Sequence, residues 1–207
     1  MFGNIRKTSS TMKFHVVAAI ISVICAGNAL LCPAPCQCFR GNGLEKANCN
    51  DTGLTSIPGP FPQDIQYLSL SYNWLTFLAG GMFDGLQSLN ELLLHNNKIT
   101  SIASEAFRGL SNLIKLQLQN NQLTVIEAGT FDYLPKLEYI DLSANPIYCN
   151  CSNMYLKTWS ARSQARQSLA CNNMKTFLEL DISKCTVPTT TTTLMTSLTT
   201  VKVSVNT

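Results

Sequence analysis

The chain has 207 residues, 45% hydrophobic and only 13% charged, with a formal net charge of +3. Such a composition excludes disordered and fibrous chains and leaves room for one domain and a tail. The charge is unevenly placed, because three of the fifteen basic residues, Arg6, Lys7 and Lys13, stand at the start of the chain.

Those three precede an apolar run from Phe14 to Ala26, broken only by His15 and Ser22 and followed by Gly27, Asn28 and Ala29. A run of 13 residues is short of the roughly 20 that cross a bilayer. Small residues at Gly27 and Ala29 suit cleavage after Ala29, so residues 1–29 are expected to be a signal peptide and no transmembrane span is expected. Its removal leaves twelve basic against twelve acidic residues. A neutral mature chain offers no basic footprint, and nucleic-acid partners are set aside.

Nine cysteines become eight once Cys25 leaves with the leader. They fall into two clusters: Cys32, Cys36, Cys38 and Cys49, then Cys149, Cys151, Cys171 and Cys185. In a secreted chain such clusters are expected to be disulfides rather than zinc sites, and each cluster permits three pairings. No metal or cofactor is expected.

Between the clusters the sequence repeats every 24 residues, starting at Ile65, Leu89, Leu113 and Leu137. Apolar residues recur three, five and ten positions after each start, as in Leu92, Leu94 and Ile99, and an asparagine stands at the eighth: Asn73, Asn97, Asn121 and Asn145. Phe83, Phe107 and Phe131 also recur in register. Alternation at the third and fifth positions describes a short strand with Leu92 and Leu94 inward and Glu91, Leu93 and His95 outward. One coil cannot bury its own apolar side, but stacked coils share a continuous core and curve, with parallel strands on the inner surface. The phenylalanines are expected to stack as a spine on the convex side. The asparagines are expected to satisfy backbone groups at the corner where the strand ladder ends. Terminal coils need covers, and the cysteine clusters lie where those covers must be.

The pattern LxxLxLxxNxLxxLxxxxFxxL over residues 65–147 resembles the extracellular leucine-rich-repeat family. Cys32-Pro-Ala-Pro-Cys36-Gln-Cys38 with Cys49, and the run Gly53-Leu54-Thr55-Ser56-Ile57-Pro58, are similar to its N-terminal cap. Asn145-Pro146-Ile147-Tyr148-Cys149-Asn150-Cys151, with Cys171 and Cys185, is similar to its C-terminal cap. The resemblance implies an α/β solenoid, a right-handed coil with a parallel concave β-sheet and disulfide-bonded caps. It also implies the pairings Cys32–Cys38, Cys36–Cys49, Cys149–Cys171 and Cys151–Cys185. The expected organisation is a cap over 30–63, repeats over 64–147, a second cap over 148–185 and a Thr-rich stalk over 186–207. Within the family, the compact plan is similar to variable lymphocyte receptors and their invertebrate look-alikes. The gaps of 19 and 13 residues between the last three cysteines leave little room for those receptors' protruding cap loop.

Outward strand positions are free of core duty, so the candidate ligand-binding residues are Tyr67, Ser69, Tyr72, Glu91, Leu93, His95, Lys115, Gln117, Gln119, Tyr139 and Asp141. Their mixture of tyrosine, amide and charged groups, with Leu93 expected exposed, suits an adaptable binding face for protein or carbohydrate. The expected function is extracellular recognition of immune type, and the alternative is adhesion to one endogenous partner. Catalysis is not expected: beyond the leader only His95 remains among histidines, and it is expected to form a surface pair with Glu91. Asn50-Asp51-Thr52 and Asn150-Cys151-Ser152 are glycosylation sequons. Lys157, Arg162, Arg166, Lys175 and Lys184 give the second cap a modest basic bias.

Overall fold

A computed structural model describes residues 32–41 and 43–168. The expected signal peptide, Cys171 and Cys185 with their expected pairings, and the Thr-rich stretch lie outside the described residues.

The chain is a solenoid of about five turns. Its main sheet runs through β1 (Gln37–Gly41), β2 (Leu44–Asn48), β3 (Tyr67–Ser69), β5 (Glu91–Leu93), β7 (Lys115–Gln117), β8 (Tyr139–Asp141) and β9 (Arg166–Ser168), in that spatial order. Only β1 and β2 are antiparallel; every later pairing is parallel, and β3 through β8 align at the 24-residue step, with Tyr67, Glu91, Lys115 and Tyr139 side by side. A second, two-stranded parallel ladder joins β4 (Phe77–Leu78) to β6 (Ser101–Ile102) on the flank the chain reaches after leaving the main sheet.

Four of the seven strands are the expected repeat strands. The other three come from outside the repeats: a hairpin before them and β9 after them, so both ends of the parallel stack are continued rather than left open. The hairpin is stapled by Cys32–Cys38 and Cys36–Cys49, the pairings the resemblance implies. Cys149 and Cys151 are likewise disulfide-bonded.

The return path of each coil is a series of tight turns, such as Asp84 N–H to Gly81 O, Leu86 N–H to Phe83 O and Leu89 N–H to Leu86 O. Gly85 and Gly109 hold equivalent places there with φ of +85° and +88°, a region that L side chains rarely adopt. Among the described residues the helical share of the fold is a 3₁₀ turn, Cys151–Asn153, and α1, Met154–Arg162, after the last repeat.

The core is one continuous stack. The inward leucines Leu68, Leu92, Leu116 and Leu118 are fully buried. Phe83, Phe107 and Phe131 form the expected spine, with centroids 6.2 and 6.1 Å apart and planes within 14° and 20°. Trp159 of α1 ends the spine 4.9 Å from Phe131.

Each repeat asparagine rivets its coil to the one before. Asn97 Nδ2 donates to Leu70 O and Leu94 O, both at 3.0 Å, and its Oδ1 accepts from Leu75 N at 3.1 Å. Asn73, Asn121 and Asn145 make the corresponding bonds. Asn153, outside the repeat register, supplies a fifth rivet: its Nδ2 donates to Thr124 O and Tyr148 O and its Oδ1 accepts from Ile126 N.

Candidate functional site

The register of the main sheet gathers the outward side chains into columns. The first column runs Lys46, Tyr67, Glu91, Lys115, Tyr139, Arg166. The second runs Asn48, Ser69, Leu93, Gln117, Asp141, Ser168. A third, at the strand exits, carries Asn50, Ser71, His95, Gln119 and Ser143, linked by hydrogen bonds such as Tyr72 N–H to His95 O and Asn96 N–H to Gln119 O. Ten of the eleven candidate residues stand in these columns, and Tyr72 stands at their rim.

Two expectations about the face are corrected. Leu93 is not exposed: only 9% of its surface reaches solvent, and Ser69 beside it keeps 1%. Leu93 is flanked in register by Ser69 and Gln117 and along its own strand by Glu91 and His95, and on an inward-curving face those neighbours close over a side chain with no polar tip to lift. Nor does Glu91 pair with His95. Glu91 meets Lys115 at 3.4 Å, whereas the Ser71 Oγ and His95 Nδ1 atoms are hydrogen-bonded at 2.9 Å. Positions i and i+4 of an extended chain are separated by about 13 Å, but in-register neighbours on adjacent strands are only about 4.8 Å apart.

Along the columns lie one cation–aromatic pair, one aromatic edge contact at the rim and one hydrogen-bonded carboxylate. Lys46 Nζ lies 5.4 Å from the Tyr67 ring centre, and Tyr72 packs edge-on against His95 at 5.4 Å. Tyr139 donates its hydroxyl to Asp141 Oδ2 at 3.3 Å, and the other oxygen of Asp141 accepts from Ser143 N and Oγ. Partial burial, followed by the Asp141 charge and hydrogen bond, raises the Tyr139 pKa above its ordinary value. A groove of about 550 Å³ opens between Glu91, Lys115, Gln117, Glu138, Tyr139 and Arg166. Gln119 Oε1 is buried and has no hydrogen-bond partner among the described residues.

Lys46 and Arg166 were not among the sequence candidates, although both stand in the first column. Nothing in the 24-residue pattern marks them, because each lies on a cap strand whose register is fixed by pairing. Ser71 and His95 have the separation of a nucleophile and its base, but Ser71 is fully buried and hydrogen-bonding at a ladder corner accounts for the contact.

Burial, the larger effect, lowers the His95 pKa; Lys115 lowers it further and Asp141 opposes them. The neutral ring is therefore favoured by the folded state. Stability should be untouched above the ordinary histidine value of 6.5, fall as pH drops through it, and level off once the folded ring is charged. A proton NMR titration of the His95 ring is expected to give a midpoint below 6.5, and His95→Gln should remove this acid limb from the stability profile. A midpoint at or above the ordinary value would contradict the burial argument.

These features define a solenoid of leucine-rich coils with a column-patterned sheet face. Residues 50–99 and 87–147 match the leucine rich repeat family, so the repeat array of this chain is a leucine-rich-repeat array. Over 63 residues the chain is 43% identical to the human leucine-rich repeat-containing G-protein coupled receptor 6, covering 30% of this chain and 6% of that receptor. Over 72 residues it is 39% identical to the bovine immunoglobulin superfamily containing leucine-rich repeat protein, covering 35% of this chain and 17% of that protein. Among solved structures, a chain of the Toll–Spatzle complex, described as a molecular hub in Drosophila development and innate immunity, superposes with a TM-score of 0.59 at 25% identity. That match covers 73% of this chain and 21% of the other. The chain thus spans a small fraction of the length of the proteins it resembles.

Proposed function

We propose that this chain is an extracellular recognition module of immune type that holds a protein or carbohydrate ligand on the concave face of its main sheet. One observation carries the reading: the repeats keep leucine or isoleucine where the strand side chain enters the core and carry a mixture of tyrosine, amide, hydroxyl and charged groups at the outward positions beside it. The inward position of the strand is Leu68, Leu92, Leu116 and Ile140, while the outward positions beside it run Tyr67, Glu91, Lys115, Tyr139 and Ser69, Leu93, Gln117, Asp141. Tyrosine, amide and charged groups around a groove are the composition of an adaptable recognition surface.

The cap disulfides suit an oxidising, extracellular setting, consistent with delivery by a signal peptide at residues 1–29. The likeness to a Toll complex supports the immune reading, and the short capped array with its Thr-rich stretch is similar in plan to variable lymphocyte receptors. An N-glycan on Asn50 would stand at the N-terminal end of the third column, directing ligands toward Lys115, Tyr139 and Arg166. Asn150, the second sequon, is exposed, with its Oδ1 accepting from Ser152 N.

Purified protein screened against microbial envelope components and glycan arrays should yield a saturable ligand. Lys115→Glu and Tyr139→Ala are then expected to weaken its binding at least tenfold, about 1.4 kcal/mol, without altering circular dichroism. No saturable ligand, or a ligand indifferent to both substitutions, would remove the proposal. A single dominant host protein captured on this face would favour the adhesion role instead.

A further inference from the structure

Because the coils repeat, each position can be compared with its counterparts, which separates what the scaffold needs from what has been added to it. On the strand-exit flank of the first repeat stand Tyr72, Trp74 and Phe77. The same three positions hold Asn96, Lys98 and Ser101 in the second repeat, and Asn120, Gln122 and Val125 in the third. The first repeat's aromatics are 55%, 52% and 46% exposed, whereas Asn73 and Leu75 between them and Leu78 just after them are buried. Three large rings within six residues thus contribute little to the core and replace mostly polar counterparts.

Tyr72 carries a further cost. Its φ is +59°, in the left-handed region that asparagine tolerates best, and its counterparts Asn96 and Asn120 adopt +54° and +56°. A bulky residue kept in that conformation with half its surface in water is strained for little packing return beyond its edge-on contact with His95. Beside it, the Lys98 ammonium sits 3.9 Å over the Trp74 ring. Among the described residues no carboxylate lies within ion-pair reach of Lys98.

We propose that Tyr72, Trp74, Phe77 and Lys98 form a second interaction surface, which begins with Tyr72 at the rim of the columns and runs along the strand-exit flank, and that takes an extended polypeptide segment presenting an acidic residue next to an aliphatic or aromatic one. Tyrosine and tryptophan dominate the anchoring positions of protein interfaces, where flat rings give contact area at low entropic cost. The unneutralised ammonium on Trp74 supplies the charge that an acidic side chain complements. A sugar stacked on Trp74 is less well served, because Lys98 already covers one face of that ring.

The repeats also supply the test. Trp74→Gln, Phe77→Ser and Tyr72→Asn install residues the chain already carries at equivalent positions, so the triple variant should fold. Tyr72→Asn by itself should raise the melting temperature, since it relieves the left-handed strain. A random peptide library displayed on phage is panned on the full chain, and the enriched peptides are synthesised. They should pair an acidic residue with an apolar neighbour. They should lose at least tenfold in affinity on the triple variant and on Lys98→Glu, yet keep their affinity on Lys115→Glu and Tyr139→Ala. Enriched peptides without an acid, equal binding to the triple variant, or no enrichment would overturn the proposal. So would binding to phosphatidylcholine–phosphatidylglycerol vesicles, or concentration-dependent dimers, abolished by the triple variant in place of peptide binding. Loss on Lys115→Glu instead would return the peptides to the concave face and leave only the first reading standing.

Discussion

Truncating Phe107 to alanine is expected to cost about 3–5 kcal/mol of folding stability, among the largest effects of any single substitution in the repeats. Phe107 is fully buried at the middle of the spine, with Phe83 on one side and Phe131 on the other. Each ring is anchored by its own coil, a full repeat away in sequence, and those coils are held at sheet spacing by the strand ladder. Neither neighbour can slide into the vacated space without breaking that ladder, so the hole remains. In a solenoid, stability is close to a sum of coil and nearest-neighbour terms, and Phe107 contributes to two such interfaces at once. Urea unfolding followed by circular dichroism should show a lower midpoint with an unchanged slope. A loss under about 1 kcal/mol would mean that the convex side relaxes freely and that the spine is not a fixed stack.

The spine and the strand columns were legible in the sequence because both depend on residues that recur every 24 positions, and recurrence at a fixed step is spatial adjacency in a coil. Legibility fails where the period stops. Trp159 and Asn153 finish the aromatic spine and the asparagine ladder from a segment with no leucine period, so nothing marked them. β1, β2 and β9 escape for the same reason, and with them Lys46 and Arg166 as members of the first outward column. Within the repeats, parity told inside from outside but not how deep an outside position lies. Leu93 has outward parity and is still buried, because depth depends on curvature and on neighbours such as Gln117 one strand away. Glu91 pairs with Lys115 and not with His95 because the shorter distance is across the sheet, not along the chain.

The second large effect belongs to the asparagine ladder, and two substitutions at one site can separate its parts. Asn121 Oδ1 is the acceptor for the buried Ile99 N–H at 3.0 Å, while its Nδ2 donates to Leu94 O and Leu118 O at 3.0 and 2.9 Å. Each of those carbonyls also accepts from a neighbouring rivet, Leu94 O from Asn97 and Leu118 O from Asn145. Asn121→Ala therefore leaves both carbonyls with one donor apiece but orphans the Ile99 amide, and about 3 kcal/mol is expected to be lost, mostly at that amide. Asn121→Asp keeps the shape and the acceptor but sets a second, charged oxygen against two carbonyl oxygens. It is expected to cost more than alanine at neutral pH, although it is the closer isostere. Its penalty should follow the charge. The folded state resists ionisation, so the aspartate pKa is raised above its unfolded value of about 3.9, and the charge-dependent part of the loss should be absent below that value and grow as pH rises through it. Protonated, the carboxyl regains a donor for one carbonyl. Urea titrations of both variants at acidic and neutral pH decide the matter: if the aspartate variant matches wild type at pH 7, the donor half of the rivet contributes nothing and the ladder reduces to its acceptor.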